Sequence, residues 1–88
     1  MLEKKIKITN KLGLHARPSA LVVKAATKYR SEFYIEKEGM KVNGKSIMGV
    51  MMLAAECGSV VNLIADGVDE EYLLKEIEEL ITSGFGED

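Results

Sequence analysis

The segment Gly13-Leu14-His15-Ala16-Arg17-Pro18-Ser19-Ala20 holds the chain's single histidine, close before an arginine and a proline. An imidazole is the side chain whose ordinary pKa lets it serve as a neutral nucleophile near pH 7. Proline suits the first turn of a helix, so a helix is expected to begin between His15 and Pro18. Backbone N–H groups at such a start lack acceptors within the helix, and the dipole is positive there, so the position suits an anion. Arg17 adds a permanent charge on a planar fork of donors. A nucleophilic ring held over an anion site can accept a phosphoryl group and hand it on. His15 is therefore the candidate acceptor, Arg17 the candidate stabilising charge, and the amides of Ala16 and Arg17 the candidate phosphate donors. The acceptor nitrogen needs a free lone pair, so the ring must be neutral, and the rest of the task is positioning and charge. Exposed helix-end interactions are worth about 0.3–1 kcal/mol each. That is small enough for the cargo to leave again, since about 1.4 kcal/mol shifts an equilibrium tenfold.

A second segment, Val42-Asn43-Gly44-Lys45-Ser46-Ile47-Met48-Gly49-Val50-Met51, pairs a turn signal with a serine in N-cap position. Ile47, Met48, Val50, Met51, Met52 and Leu53 are too many apolar residues for one face of a short helix, so some must face solvent. Methionine suits a surface that adapts to several partners. Cys57 is alone and reads as a small filler residue in a turn before a strand. Glu70, Glu71, Glu76, Glu78 and Glu79 read as a solvated helix face rather than as catalytic carboxylates. The glycines are dispersed and form no nucleotide-binding loop. Neither Cys57 nor His15 belongs to a metal-ligand cluster, and no cofactor is expected.

The elements that must position these residues follow from periodicity. Lysine–isoleucine alternation around Ile6 and Ile8 predicts a strand over 2–9. Leu21, Val22, Ala25 and Ala26 give a helix from Pro18 to about Tyr29 one buried face. Phe33 and Ile35 mark a second strand, Met40 to Val42 a third after a turn at Gly39, and Val60 to Ala65 a fourth. A short helix runs from its Ser46 cap through Leu53. The last helix is capped by Asp69, carries Leu73, Leu74, Ile77, Leu80 and Ile81 on its apolar stripe, and stops at Gly84, leaving residues 85–88 to fray. Each helix offers one apolar face, which predicts an α+β domain of helices over one side of a mainly antiparallel sheet.

Composition bounds what such a domain can do. The chain has 88 residues, read as a single domain over 1–88. A chain this short buries about 60–65% of its unfolded surface, which leaves little room for a deep cleft, so chemistry belongs on the surface and a partner protein would complete it. The formal net charge is −2, with no basic stripe to suggest nucleic acid. Charged Glu3, Lys4 and Lys5 leave no apolar run for a signal peptide, and no stretch is long enough to cross a membrane. A lone cysteine fits a reducing, cytoplasmic setting.

Both segments, in register and at matching spacing, resemble the HPr family, the histidine-containing phosphocarriers of the bacterial sugar phosphotransferase system. The resemblance covers essentially the whole chain. It implies an open-faced β-sandwich of four antiparallel strands with three helices on one face. It implies that His15 takes a phosphoryl group from phosphorylated enzyme I, as a pros-phosphohistidine, and passes it to sugar-specific IIA components. Such a protein is a covalent carrier rather than an independent enzyme. The resemblance further implies that Ser46 is phosphorylated from ATP by HPr kinase/phosphorylase in carbon catabolite control, with a catabolite control transcription factor as a further partner. Ile47, Met48 and Met51 match positions the family uses for docking. A monomer is expected, because a carrier must expose its docking surface. Met52 and the stretch Ala54-Ala55-Glu56-Cys57 depart from commoner versions near the regulatory helix, and bear on partner choice rather than on the histidine. A purely regulatory module phosphorylated only at Ser46 is the second reading, disfavoured by the presence of His15. A ligand-binding or assembly domain without phosphotransfer is the third.

Overall fold

A computed structural model describes residues 1–86 of the chain. The elements are β1 (Leu2–Lys7), α1 (Ala16–Ala26), β2 (Glu32–Lys37), β3 (Met40–Asn43), α2 (Ile47–Met52), β4 (Val60–Asp66) and α3 (Glu70–Thr82), followed by a 3-10 turn at Gly84–Gly86. The strands form one sheet in the order β1-β4-β2-β3, each pair antiparallel. The chain therefore leaves β1, runs through α1 and returns as β2, with β4 later filling the gap between them. The same happens from β3 through α2 to β4 around β2.

Strand alternation sorts the residues onto two faces. Val61, Leu63 and Ala65 of β4 lie opposite Ile6, Lys4 and Leu2 of β1. On the other side, Leu63 and Ala65 meet Ile35 and Phe33 of β2. The apolar members of this face join Val22, Ala25 and Ala26 of α1, Val50 of α2, and Leu73, Leu74, Ile77 and Ile81 of α3 in one core. All three helices thus cover one side of the sheet. The opposite side is mainly polar, with Ile64 buried between Glu3 and Tyr34 as an apolar exception. There the Asn62 amide donates to Glu3 at 2.7 Å, and the Lys41 ammonium lies 4.7 Å from the centre of the Tyr34 ring. The α+β open-faced sandwich that the sequence predicts is the fold observed.

Details differ for physical reasons. β1 ends at Lys7 rather than at residue 9. Ile8 still alternates inward, but it pairs with a turn: its N–H donates to Ser59 O at 2.8 Å and its carbonyl accepts from Gly58 N–H at 2.7 Å. α1 spans Ala16–Ala26: it begins within the expected His15–Pro18 window and ends short of Tyr29. Pro18 is its third residue, a position whose missing N–H takes no bond from the helical ladder. At the other end, the N–H groups of Lys28 and Tyr29 reach back only to Ala25 and Ala26, a tighter turn that closes the helix. The β2–β3 hairpin turns at Glu38 and Gly39, with φ of 50° and 86°, between the paired residues Lys37 and Met40. Two consecutive left-handed residues match the twist of the flanking strands.

At the start of α3, Asp69 occupies the N-cap position, but its side chain does not cap its own helix. Its carboxylate instead accepts from the Ser31 hydroxyl and from the amides of Arg30 and Ser31. These donors hold Asp69 well below its usual range, from 3.8 to about 2, with the Ser31 hydroxyl contributing most. Glu76 is likewise not simply solvated. It accepts from the Lys28 ammonium and the Tyr29 hydroxyl, which together hold its carboxyl low. Phe85 does not fray: at φ 58° it turns its ring back into the core and is buried. Residues 87 and 88, also expected to fray, lie outside the described residues. Among the described residues no helix is long and apolar enough to cross a membrane.

Candidate functional site

His15 is the N-cap of α1, with φ −77° and ψ −170°, and closes no side-chain capping bond to the helix. It is partly exposed, and Ala16 and Arg17 beside it are exposed. The ring is thus held at the opening of the first helix and not in the interior. The helical ladder begins with the Ser19 N–H donating to His15 O at 3.0 Å. The amides of Ala16 and Arg17 precede that ladder, and Pro18 contributes no donor. Aligned peptides give this end a partial positive charge, and Arg17 adds a full one. The site therefore combines an imidazole, a positive helix end and a guanidinium at the surface.

The loop that presents His15 is fastened more firmly than its sequence suggests. Gly13 has φ 67°, and a β-carbon on it would lie 2.3 Å from Ala55 O. Leu14 N–H donates to that same carbonyl at 2.8 Å. The unusual 54–57 stretch is therefore packed against the histidine loop and is not only a neighbour of the second helix. Cys57 is also not filler. It is exposed, with its Sγ 3.6 Å from Thr9 O. Sequence reasoning missed Asn10, Ser19 and Ala55 as supports of this loop. The available signal was a serine on the apolar face of a helix, directly after proline.

Ser46 caps α2 as expected, its hydroxyl accepting from Gly49 N–H at 3.0 Å. It is partly exposed, and neighbouring Lys45 donates its ammonium to Tyr29 O at 2.7 Å. Val50 and Leu53 turn inward, while Ile47, Met48, Met51 and Met52 are exposed, Met48 to 74%. These last four line an open apolar depression of about 640 Å³. α2 packs on α1, so the methionine surface belongs to the same two-helix layer as His15. A separate groove of about 590 Å³ between α1 and α3, lined by Leu21, Lys24, Lys28, Glu79 and Leu80 among others, holds none of the expected site residues. Among the described residues no cluster could hold a metal ion.

Comparison with known proteins shows the family and the fold. A family profile described as "PTS HPr component phosphorylation site" matches residues 2–83. Phosphocarrier protein HPr of Neisseria meningitidis serogroup A is 48% identical over 87 residues, 99% of this chain and 98% of that protein. HPr-like protein Crh of Bacillus subtilis is 47% identical over 77 residues, covering 88% of this chain and 91% of its own. The crystal structure of HPr-C-His from Thermoanaerobacter tengcongensis matches with a TM-score of 0.97 at 52% identity, over 100% of this chain and 99% of that one.

Proposed function

This chain belongs to the HPr family of phosphotransferase-system phosphocarriers, and from that premise we propose that His15 is its phosphoryl acceptor and donor. The neutral pros nitrogen attacks the phosphorus carried by phosphorylated enzyme I. The new N–P bond forms as the bond to the donor breaks, and the reverse sequence delivers the group to a sugar-specific IIA component. The amides of Ala16 and Arg17 and the Arg17 guanidinium face the transferred dianion. The observation that carries this reading is the placement of a partly exposed histidine as N-cap of α1, next to Arg17. The protein acts in the cytoplasm as a monomeric carrier.

The test is direct. Incubation with enzyme I and phosphoenolpyruvate should label the protein with acid-labile, base-stable phosphate, and His15→Ala should abolish the label. Persistent labelling of His15→Ala would move the acceptor elsewhere.

Ser46 is the proposed regulatory site, phosphorylated from ATP by HPr kinase/phosphorylase and then available to a catabolite control transcription factor. A phosphate there would bring a charge of about −1.5 to −2 to a helix N-terminus, where it need not unfold the helix. Its effect is electrostatic, placing a negative charge beside Ile47, Met48 and Met51, the proposed docking residues for enzyme I. Ser46→Asp is expected to slow phosphorylation of His15 by enzyme I while leaving the fold intact by circular dichroism. An unchanged rate would remove this role.

A further inference from the structure

The buried polar side chains among the described residues are Asn10, Ser19 and Ser31. Burying a polar group is costly unless it is hydrogen-bonded, so each requires a reason. Ser31 serves the Asp69 latch at the start of α3. The other two converge on the backbone that carries His15. The Asn10 side-chain amide donates to Gly13 O at 2.8 Å. The Ser19 hydroxyl donates to Leu14 O at 3.0 Å. Ser19 N–H then takes the next carbonyl, that of His15, at 3.0 Å. Three consecutive carbonyls, Gly13, Leu14 and His15, are therefore all held by Asn10 and Ser19.

A trans peptide points its C=O and N–H in opposite directions. Holding the His15 carbonyl along the helix aims the Ala16 N–H outward, toward the face on which a phosphate would sit. Holding the Leu14 carbonyl inward keeps a partial negative charge away from that face and fixes the peptide to which the imidazole is attached. Without the Ser19 hydroxyl the Leu14 peptide could rotate and bring its carbonyl oxygen toward an incoming dianion, while the His15 carbonyl keeps its bond from the Ser19 N–H.

We propose that Asn10 and Ser19 are positioning residues for phosphoryl transfer at His15, fixing the Gly13 and Leu14 carbonyls so that the ring and the first helical amides keep the geometry the transferred group requires. This rests on the proposed role of His15. Neither side chain touches the phosphoryl group; both act through the backbone. Misplacing a reacting group by a fraction of an ångström slows a reaction without altering how partners recognise the surface.

Ser19→Ala, Asn10→Ala and, as a control, Ser31→Ala are to be compared with the wild-type chain as substrates of enzyme I and phosphoenolpyruvate. The rate of spontaneous loss of the phosphoryl group is to be followed alongside. Ser31→Ala removes a buried hydroxyl of the same kind from the far end of the latch, so it reports the effect of lost stability alone. The expected result is a fall in kcat of about tenfold for Ser19→Ala and Asn10→Ala, with KM unchanged, an altered rate of phosphoryl loss, and wild-type behaviour in Ser31→Ala. Wild-type kinetics in both loop variants would overturn the proposal, as would an equal fall in Ser31→Ala. If one loop variant fails to fold, the other carries the same comparison. Absence of His15 label on the wild-type chain itself would overturn the phosphocarrier reading, and this inference with it.

Discussion

Single residues matter here chiefly through the backbone they allow. Gly13 combines a left-handed φ of 67° with contact against Ala55 O, whereas Gly39, at φ 86°, faces open space. The two glycines therefore separate conformational strain from steric exclusion. Gly39→Ala should cost only the left-handed penalty of about 1 kcal/mol. Gly13→Ala must also push the histidine loop off the 54–57 segment and should cost at least about 2 kcal/mol. Urea midpoints at unchanged m-value measure both, and equal losses would show that the contact with Ala55 relaxes freely. Gly13→Ala should also phosphorylate more slowly, since the loop that moves is the one carrying His15. Gly44 shows a third use of the residue. Its ordinary turn role is accompanied by packing so close to Phe33 that a β-carbon would lie 2.2 Å from the ring.

At the level of elements, the loop between α1 and β2 is tied to the start of α3 by one carboxylate. Asp69 accepts from the Ser31 hydroxyl and the Arg30 and Ser31 amides, which lower its pKa from 3.8 to about 2. A carboxyl whose folded pKa is depressed stabilises the fold above its unfolded value, and that contribution disappears as pH falls through the folded value. Melting temperature should therefore drop between about pH 4 and pH 2. Asp69→Asn should melt lower than wild type at neutral pH and lose less between those pH values. Glu70 and Glu76 are shifted in the same direction and will leave a residual slope. Thermal melts by circular dichroism from pH 7 to pH 2 provide the check; parallel pH profiles for the two chains would mean the latch contributes nothing. The sequence marked Asp69 as a cap because an acidic residue before Glu70 and Glu71 is a local signal. Its real partners, Arg30 and Ser31, are distant in sequence, and local periodicity carries no information about such contacts.

For the molecule as a whole, what was legible in the sequence is what depends on local pattern. Alternation at Ile6, Phe33, Ile35 and Val61 marked the strands, helical spacing at Leu73, Leu74, Ile77 and Ile81 marked α3, and His15, Arg17 and Pro18 marked the opening of α1. Long-range support was not legible: Ala55 under Gly13, the Leu14 carbonyl as the partner of a serine whose place on an apolar helix face was the one local hint, and the burial of Phe85. The same distinction applies to the methionine surface. Sequence required that some of the apolar residues from Ile47 to Leu53 face solvent, and the fold selects Ile47, Met48, Met51 and Met52 while committing Val50 and Leu53 to the core. A domain of this size has few apolar residues to spare, and an apolar patch left in water stabilises nothing in the isolated chain. Stability and partner binding should therefore separate cleanly at Met48. Met48→Asp, at a position 74% exposed, should change unfolding free energy by no more than about 0.5 kcal/mol. If the exposed face of α2 is the proposed docking surface, the same carboxylate should raise the KM for phosphorylation by enzyme I by about tenfold or more. Val50→Ala should do the reverse, removing buried methyl groups at a cost of about 2 kcal/mol or more while leaving KM unchanged in the folded fraction. If Met48→Asp binds enzyme I as tightly as wild type, the exposed face of α2 is not where that partner docks.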